Sequence, residues 1–295
     1  MSKNGNKKKE NFKIFSEAFP PNKEGRRQKI PAYSPSHELL KNITINASNI
    51  IYKPLTLSDL SEIKNLHKEW FPIDYDDEYF KKIFNTEHSI YFTIGAFYSI
   101  ENKDDNSCKE IIIGMAMCEF RPVSDYFIKH TSRKAIKKIC DNIDFNEEVT
   151  SYLKCQDYSV VYIMTIGVID ECRKLNIGTE LINRIYEIGL NDYLCIGIYL
   201  DVVDYNKSAI KFYEKNGFEK VSKIKNYYDI KSNYFDADVF LRVFTRKEKD
   251  NFRRIKYSFI SKLFNYFVLT PMNIIYKIII FFLFCQCFRS KIKYE

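Results

Sequence analysis

Two apolar runs, each followed by a helical pattern, are the clearest structural signals in this chain of 295 residues. Residues 160–169 and 194–203 are almost continuously apolar and rich in β-branched side chains, which predicts strands that are covered on both faces. Apolar residues then recur at helical spacing over 181–188 after the first run and over 209–213 after the second. The pattern therefore predicts two successive strand–turn–helix units.

The flanking segments predict the other strands of a mixed α/β (α+β) sheet with helices on both faces. Residues 90–98 and 110–120, joined by the polar segment 101–107, predict a pair of hairpin strands. Shorter apolar segments at 51–55, 218–221 and 235–244 predict further strands at the two ends of the fold.

Helix signals fill the spaces between these strands. Thr56 or Ser58 can cap a first helix, a second helix begins near Asp76, and Asn206 can cap the helix after the second apolar run. Residues 121–158 predict a helical insertion whose use the pattern does not reveal. The expected order of elements is β-α-α-β-β-α-β-α-β-α-β-β.

Charge divides the chain into three parts. Residues 1–45 carry a net charge of +6 and residues 246–295 carry +8, while the whole chain carries +8, so the middle is acidic at about −6. We predict a flexible basic segment at 1–45, a folded domain at 46–250 and a separate tail at 251–295. Because a nucleic-acid-binding domain carries its basic patch on the fold itself, this arrangement argues against a nucleic acid as partner.

The tail has the composition of a membrane anchor. Residues 259–288 are very apolar, but a spanning helix needs about 20 apolar residues without charges. The apolar stretch is interrupted by Lys262, Pro271, Asn273 and Lys277. We therefore expect membrane-binding helices that lie in the plane of the interface while their lysines reach the headgroups. A packed terminal helix and a true span are the alternatives.

The turn after the first apolar run has the features of a phosphate site. Arg173-Lys-Leu-Asn-Ile-Gly-Thr179 places the first amides of a helix, and hence its positive end, in a loop that contains a glycine. It has neither the Lys-Ser/Thr of a P-loop nor the three glycines of a dinucleotide fingerprint. A strand–turn–helix unit without a ligand is the alternative, because one glycine in such a turn is common.

This loop resembles the Arg/Gln-x-x-Gly-x-Gly/Ala loop of the GCN5-related N-acetyltransferases, the GNAT superfamily. Asn176 stands at the first glycine position, where its tolerance of a left-handed backbone makes the departure mild. The segment from Asn206 to Phe218 resembles the second signature of the family, and the order of elements matches over 46–245. The resemblance implies the GNAT fold, with a mixed and mostly antiparallel sheet, and acetyl-coenzyme A (acetyl-CoA) as co-substrate.

The same resemblance implies which residues bind the cofactor. In the family, residues of the first strand–turn–helix unit and an Asn and a Tyr of the second signature contact coenzyme A. The matching positions here are Met164, Ile166, Gly167, Val168, Arg173, Lys174, Asn176, Ile177, Gly178, Thr179, Asn206 and Tyr213. For Tyr213 the alternative is an ordinary aromatic residue in the core.

Further strings are similar to N-terminal acetyltransferases, most closely to the NatF type. They are Trp70-Phe-Pro-Ile-Asp-Tyr, Tyr162-Ile-Met-Thr-Ile-Gly-Val, Ile198-Tyr-Leu-Asp-Val and Tyr227-Tyr228. In that family the first string and a tyrosine hairpin hold the beginning of a peptide. The resemblance implies a substrate site made by Phe71, Asp74, Tyr75, Tyr227 and Tyr228. Tyrosine walls suit this task, because they offer apolar faces to a methionine side chain and hydroxyls to the peptide backbone.

The resemblance also implies what the enzyme does and where. We expect transfer of acetyl from acetyl-CoA to the α-amino group of protein N-termini, with Met-starting sequences preferred. The NatF type works at the cytosolic face of the Golgi membrane, which agrees with a membrane-binding tail. The alternatives are acetylation of lysine, histones or a small amine, and a weakened module that only binds acetyl-CoA.

Tyr162 and Asp201 are the expected catalytic pair. The attacking amine must be neutral, and an α-amine with a pKa near ~8 is neutral far more often than a lysine with a pKa near ~10.4. In the NatF type the pair is a tyrosine and a histidine. Tyr162 matches the tyrosine, but Asp201 stands at the histidine position.

Three roles for Asp201 are open at this point. It can act as the base through a water, which requires a buried carboxylate with a raised pKa. It can orient that water while Tyr162 relays the proton, or it can be a structural residue in a weakened site. The four histidines of the chain show no metal-ligand spacing, so no metal is expected.

Overall fold

The computed structural model of the chain describes residues 40, 45–71, 75–85, 90–101, 108–123, 158–192, 194–230 and 232–256. The predicted insertion at 121–158, the basic N-terminal segment and the membrane-binding tail therefore lie mostly or wholly outside the described residues. The predicted division into three parts remains a prediction for the same reason.

The described elements occur in the order that the hydrophobic pattern predicts. They are β1 (Ile50–Lys53), α1 (Leu60–Trp70), α2 (Asp77–Phe84), β2 (Tyr91–Glu101), β3 (Cys108–Pro122), β4 (Ser159–Val168), α3 (Ile177–Asn191), β5 (Cys195–Val203), α4 (Lys207–Lys215), β6 (Glu219–Ile230) and β7 (Asn233–Val243). A further helix, α5, covers residues 246–256.

The strands form one seven-stranded sheet in the order β1-β2-β3-β4-β5-β7-β6. All neighbouring strands are antiparallel except β4 and β5, which run parallel with α3 as the connection between them. The predicted mixed and mostly antiparallel sheet is confirmed. Every residue of β5 is buried, as are residues 160–166 of β4, so both apolar runs are covered strands.

The parallel strands β4 and β5 separate part-way along their length. Their ladder ends at the pair Tyr162 and Tyr199, although β4 continues to Val168 and β5 continues to Val203. Beyond this pair, the described ladder joins no further residue of β4 to β5. The carboxyl ends of the two strands therefore border a gap in the middle of the sheet.

Helix α1 covers β4 by means of a tryptophan and a glycine. Ile63, Leu66 and Trp70 are buried on one face of α1 at helical spacing. A Cβ atom on Gly167 would lie only 2.1 Å from the indole of Trp70, so this close approach requires a glycine. The contact fixes the end of α1, and hence the start of the segment after it, against the strand that borders the gap.

Two local predictions differ in detail from the structure. Thr56 does not cap α1 directly: it begins a 3₁₀ turn at Leu57–Asp59, where Thr56 and Asp59 form a capping box, and α1 begins after that turn. The last hairpin is much longer than predicted, because β6 runs from Glu219 to Ile230. Its polar and half-exposed positions hide this length from an apolar pattern.

Candidate active site

Three side chains meet where β4 and β5 separate. The hydroxyl of Tyr162, in β4, donates a hydrogen bond of 3.1 Å to Oδ2 of Asp201, in β5. The hydroxyl of Tyr227, in β6, donates to the same oxygen at 3.2 Å. Both phenols use Oδ2, which leaves Oδ1 as the oxygen of Asp201 that neither of them occupies. The structure thus joins the two predicted catalytic residues to one residue of the predicted substrate site.

The environment of Asp201 makes its carboxylate more basic than usual. The side chain is 5% exposed. This burial raises the pKa of Asp201 from 3.8 to about 6, although the hydrogen bonds from Tyr162 and Tyr227 and the charge of Arg121 lower it. At neutral pH Asp201 is therefore a carboxylate that can accept a proton. The raised pKa that the first of the three roles requires is present.

Tyr162 has the opposite property. Burial, Tyr227 and Asp201 together raise the pKa of the Tyr162 phenol well above its usual value. The phenol remains protonated at neutral pH, so Tyr162 is a hydrogen-bond donor in this site. Of the two residues, Asp201 is the one whose charge state suits a base.

A bulge in the last hairpin directs Tyr227 towards the gap. The β6–β7 register shifts between Ile224 and Tyr228, and Asn226 in the bulge has a left-handed backbone with φ of 50°. The amide of Asn226 donates to Oδ1 of Asp236 at 3.0 Å, which lowers the pKa of Asp236 and fixes the bulge. This bulge carries Tyr227 to Asp201 while Tyr228 points into the core.

Aromatic rings from two separate segments line the predicted substrate site. Phe71 and Tyr75 have ring centroids 6.1 Å apart, and Tyr227 and Tyr228 have centroids 4.8 Å apart. Burial raises the pKa of Tyr228 well above its usual value, with contributions from Asp201 and Tyr75, so the two segments lie close together. The structure brings these four predicted residues to one region, whereas the fifth, Asp74, lies outside the described residues.

The predicted phosphate loop has the expected backbone. Asn176 precedes α3 with a left-handed φ of 60°, and Lys174 is also left-handed with φ of 70°. The side chain of Asn176 makes no capping hydrogen bond. The first amides of α3, those of Ile177, Gly178 and Thr179, have no acceptor within the helix and form the positive helix end. This geometry fits an anionic ligand.

Gly178 packs closely against α4. A Cβ atom there would lie 3.1 Å from the ring of Phe212, a tight contact that this ring would have to relieve by a shift of a few tenths of an ångström. Arg173 forms an ion pair with Asp170 at the edge of the loop. The loop therefore combines a helix end, a small residue and two cations, Arg173 and Lys174.

The β4 positions assigned to the cofactor lie on the side of the strand that borders the gap. Ile166, Gly167 and Val168 belong to the part of β4 that pairs with β3 but not with β5, and Met164 lies at the register shift between β3 and β4 just before it. A strand edge of this kind offers backbone N–H and C=O groups to a ligand that carries amides. Gly167 also has the structural task of accommodating Trp70.

Asn206 and Tyr213 have clear structural roles in α4. Oδ1 of Asn206 accepts from the amide of Ala209 at 3.2 Å and caps the helix, as predicted. Tyr213 is buried and its ring contacts Phe218 and Phe240. For Tyr213 the geometry thus agrees with the alternative of a core aromatic residue, and its contact with a cofactor stays a prediction.

Comparison with known proteins places the chain in a family. The Acetyltransferase (GNAT) family matches residues 60–218, which is more than half of the chain. The chain belongs to this family. The GNAT resemblance inferred from the two signatures is confirmed, and the chain is an acyltransferase.

The relatives that this chain resembles include an N-alpha-acetyltransferase and a protein named as a histone acetyltransferase. N-alpha-acetyltransferase 60 of Danio rerio is 29% identical over 191 residues, covering 64% of this chain and 67% of that protein. The histone acetyltransferase MCC1 of Arabidopsis thaliana is 26% identical over 193 residues, covering 65% of this chain and 69% of that protein. The crystal structure of Arabidopsis thaliana NAA60 in complex with acetyl-CoA is 25% identical with a TM-score of 0.52, covering 66% of this chain and 98% of that one. N-alpha-acetyltransferase 60 (NAA60) is the enzyme of the NatF type, so the similarity to that type is confirmed.

Three residues of the site were not predicted from the sequence. Arg121 and Glu119 of β3 and Tyr199 of β5 surround the ring of Tyr162. The only sequence signal for them is alternation: Glu119 and Arg121 are two apart, as are Tyr199 and Asp201, so each pair shares one face of its strand. That signal becomes useful only once the strand order is known.

Proposed function

We propose that this chain is an N-terminal acetyltransferase that transfers acetyl from acetyl-CoA to the α-amino group of proteins, preferring N-termini that begin with Met. The observation that carries the proposal is the hydrogen-bonded set of Tyr162, Asp201 and Tyr227 at the opening between β4 and β5. The names of the N-alpha-acetyltransferase relatives support the same activity.

The described residues fit acetyl-CoA as the acetyl donor. The start of α3, from Asn176 to Thr179, offers backbone amides and a positive helix end to the pyrophosphate, with Arg173 beside it. The free side of β4 from Met164 to Val168 offers hydrogen bonds to the amides of the pantetheine arm. The bound donor supplies the thioester whose acetyl group is transferred.

Asp201 is the base in this proposal. The neutral α-amine attacks the thioester carbonyl, and its nitrogen then loses a proton through a water to Oδ1 of Asp201, since both tyrosines already use Oδ2. The C–S bond breaks as the amide forms, and coenzyme A leaves as a thiolate that takes up a proton to become the free thiol. A pKa of about 6 leaves Asp201 mostly ionised at pH 7 and still basic enough to take the proton. Tyr162 keeps its own proton and holds the carboxylate in place.

The acceptor is an α-amine rather than a lysine for a physical reason. With pKa values near ~8 and ~10.4, the α-amine is the neutral nucleophile a few hundred times more often at cytosolic pH. The rings of Phe71, Tyr75 and Tyr228 give an apolar environment that suits the side chain of a first residue such as Met.

A peptide panel tests the proposal directly. The purified chain is mixed with acetyl-CoA and with matched Met-starting peptides whose N-terminus is either free or already formylated, and products are located by mass spectrometry. We expect acetylation only of the free N-terminus. Acetylation of an internal lysine in the blocked peptide, at an equal or higher rate, would overturn the proposal.

Lysine acetylation is the second candidate, because one relative is named a histone acetyltransferase. The same panel tests this candidate with two N-terminally blocked peptides, the one with an internal lysine and one with a histone-tail sequence. Acetylation of their lysines is the result that would favour it. A catalytically weakened module would instead bind acetyl-CoA and acetylate neither peptide.

We further propose that the enzyme works at the cytosolic face of a membrane, that of the Golgi, through residues 251–295. No helix among the described residues is both long enough and apolar enough to cross a membrane. The support for the proposal is the apolar sequence of 259–288 with its interrupting lysines. In cells that express the chain, removing 251–295 should move it from the membrane pellet to the supernatant, and persistent pelleting would contradict this.

A further inference from the structure

Arg121 makes three contacts beside the candidate active site. Its guanidinium carbon lies 3.8 Å from the centroid of the Tyr162 ring. Its Nη1 donates to the hydroxyl of Tyr199 at 3.1 Å, and its Nε donates to Oε2 of Glu119 at 2.7 Å. The ring of Tyr199 in turn stacks on that of Tyr162 with centroids 4.6 Å apart. The Tyr162 ring is therefore held by a cation and by a second aromatic ring.

This arrangement is more than a surface ion pair. The side chains of Arg121 and Glu119 are 25% and 12% exposed, so most of their hydration is lost. Burial disfavours the charge of Arg121, yet Tyr199, Tyr162 and Glu119 raise its pKa, so it is always cationic. A mostly buried cation costs stability unless it is well paired. The planar guanidinium of Arg121 meets this need, because it contacts Glu119, Tyr199 and the ring of Tyr162 at once.

The charge of Arg121 also acts on Asp201. It is one of the influences that keep the pKa of Asp201 from rising further than about 6. Arg121 reaches this carboxylate through Tyr162 rather than by direct contact, since its hydrogen bonds go to Tyr199 and Glu119. A change at Arg121 should therefore alter both the place of the Tyr162 ring and the proton affinity of Asp201.

We propose that Arg121, anchored by Glu119, is a positioning residue of the acetyl transfer: it holds the Tyr162 ring so that the Tyr162 hydroxyl stays on Asp201, and its positive charge favours the carboxylate form of Asp201. The inference rests on the proposed function, in which Asp201 is the base. It assigns a task to two residues that contact neither acetyl-CoA nor the acceptor in that function.

Several other groups act on Asp201, and the effect of Arg121 must be separated from theirs. The groups that face the carboxylate from the described elements around it are Tyr162 of β4, Tyr199 of β5, Tyr227 and Tyr228 of β6, and Arg121 of β3. Arg121 is the group in this set that carries a full positive charge, and the carboxylate of Glu119 is bonded to it.

Two substitutions separate the two tasks of Arg121. Arg121→Met removes both the charge and the fork, whereas Arg121→Lys keeps a charge but loses the planar fork. For Arg121→Met we expect the acidic limb of the kcat profile to move to higher pH by less than about one unit, and the plateau above it to fall roughly tenfold. For Arg121→Lys we expect the acidic limb of the kcat profile at the same pH as in the wild type, and a kcat plateau that falls by a similar factor.

Arg184→Met is the matched control. The guanidinium of Arg184 also lies over a tyrosine ring, 4.4 Å from that of Tyr52, and also pairs with a carboxylate, that of Glu180. It belongs to α3 and has no contact with Tyr162 or Asp201. Its profile should keep the wild-type limb and plateau.

A measurement without turnover separates this inference from the proposed function. The chain is labelled with ¹³C at the aspartate carboxyls, and the signal of Asp201 is identified by its absence in Asp201→Asn. We expect its titration midpoint to rise in Arg121→Met and to stay unchanged in Arg121→Lys and Arg184→Met. A midpoint in Arg121→Met equal to that of the wild type would overturn the inference, even if the enzyme is active.

The outcomes are distinct. A wild type that acetylates no free N-terminus refutes the proposed function, whereas the titration still decides the role of Arg121. An active wild type with identical profiles for Arg121→Met and Arg184→Met refutes the positioning role alone. Thermal melting and acetyl-CoA binding of each variant identify a protein that is misfolded. If Arg121→Met is misfolded, the kcat plateau of Arg121→Lys carries the test, and a plateau equal to that of the wild type would overturn the positioning role.

Discussion

Asp201 should be a site where activity and stability oppose each other. Burial raises its pKa to about 6, which means that the folded protein holds this carboxyl in its ionised form at a cost. Asn is nearly isosteric and neutral, and its amide oxygen can accept from Tyr162 and Tyr227 as the carboxylate does. We therefore expect Asp201→Asn to be more stable than the wild type at neutral pH while losing most of its activity.

The size of the stability effect follows from the pKa. The pKa of Asp201 rises from 3.8 to about 6 on folding. A rise of about two pH units corresponds to ~3 kcal/mol at pH values above the folded pKa. The sign is fixed by proton uptake: the folded state binds this proton more tightly, so the wild type loses stability as pH rises through the range between the two values. Below pH 3 the penalty is absent.

Urea unfolding at two pH values measures this effect. At pH 7.5, Asp201→Asn should exceed the wild type in free energy of unfolding by about 3 kcal/mol, and at pH 4.5 by about 1 kcal/mol. In the same samples kcat at neutral pH should fall by at least about 100-fold, because the proposed base is lost. A stability difference that does not change between the two pH values would refute the buried, proton-binding role of Asp201. Unchanged kcat would refute its role as base.

Three further substitutions test the surroundings of Asp201. Tyr162→Phe should lower kcat by roughly 10- to 100-fold with little change in KM, because the ring stays and only the hydroxyl on Asp201 is lost; unchanged kcat on Met-starting peptides would contradict this. Tyr227→Phe removes the second donor to Oδ2, so the acidic limb of the kcat profile should move to higher pH, and a shift to lower pH would contradict the reasoning. Gly167→Ala should lower the free energy of unfolding by about 2 kcal/mol, since the new methyl group would clash with the indole of Trp70. Gly114→Ala is the milder comparison, because its new methyl group would lie 3.0 Å from the side chain of Ile177. Equal losses of stability for the two variants in thermal or urea unfolding would count against the clash.

The parts of the fold that the sequence predicts best are those where one local property decides the structure. The covered strands β4 and β5 follow from apolar runs, because a strand buried on both faces admits few polar residues. The left-handed backbone at Asn176 could be predicted because Asn is one of the few residues other than Gly that adopt this conformation. In both cases the information lies within a few neighbouring positions.

The surroundings of Tyr162 could not be predicted in this way. Arg121 reaches Tyr162 and Tyr199 only because β3, β4 and β5 are neighbours in a particular register, and a bulge between Met117 and Cys118 shifts that register. The contact of Tyr227 with Asp201 likewise depends on a bulge around Asn226. Such contacts depend on strand order and on single extra residues, which leave almost no mark on an apolar pattern.

For Asp201 to serve as the proposed base, at the position where the resemblance to the NatF type implies a histidine, its pKa has to be raised and the rise also has to be limited. A histidine has a pKa near ~6.5 without help, whereas an aspartate must be raised from about 3.9 to serve as a base near neutral pH. Burial alone would overshoot, because a fully desolvated carboxyl without partners stays protonated and accepts nothing. Two phenol donors on Oδ2 and the charge of Arg121 restrain the rise. The balance leaves Asp201 ionised at pH 7 yet still basic, so the departure from the histidine pattern agrees with an adapted site rather than a lost one.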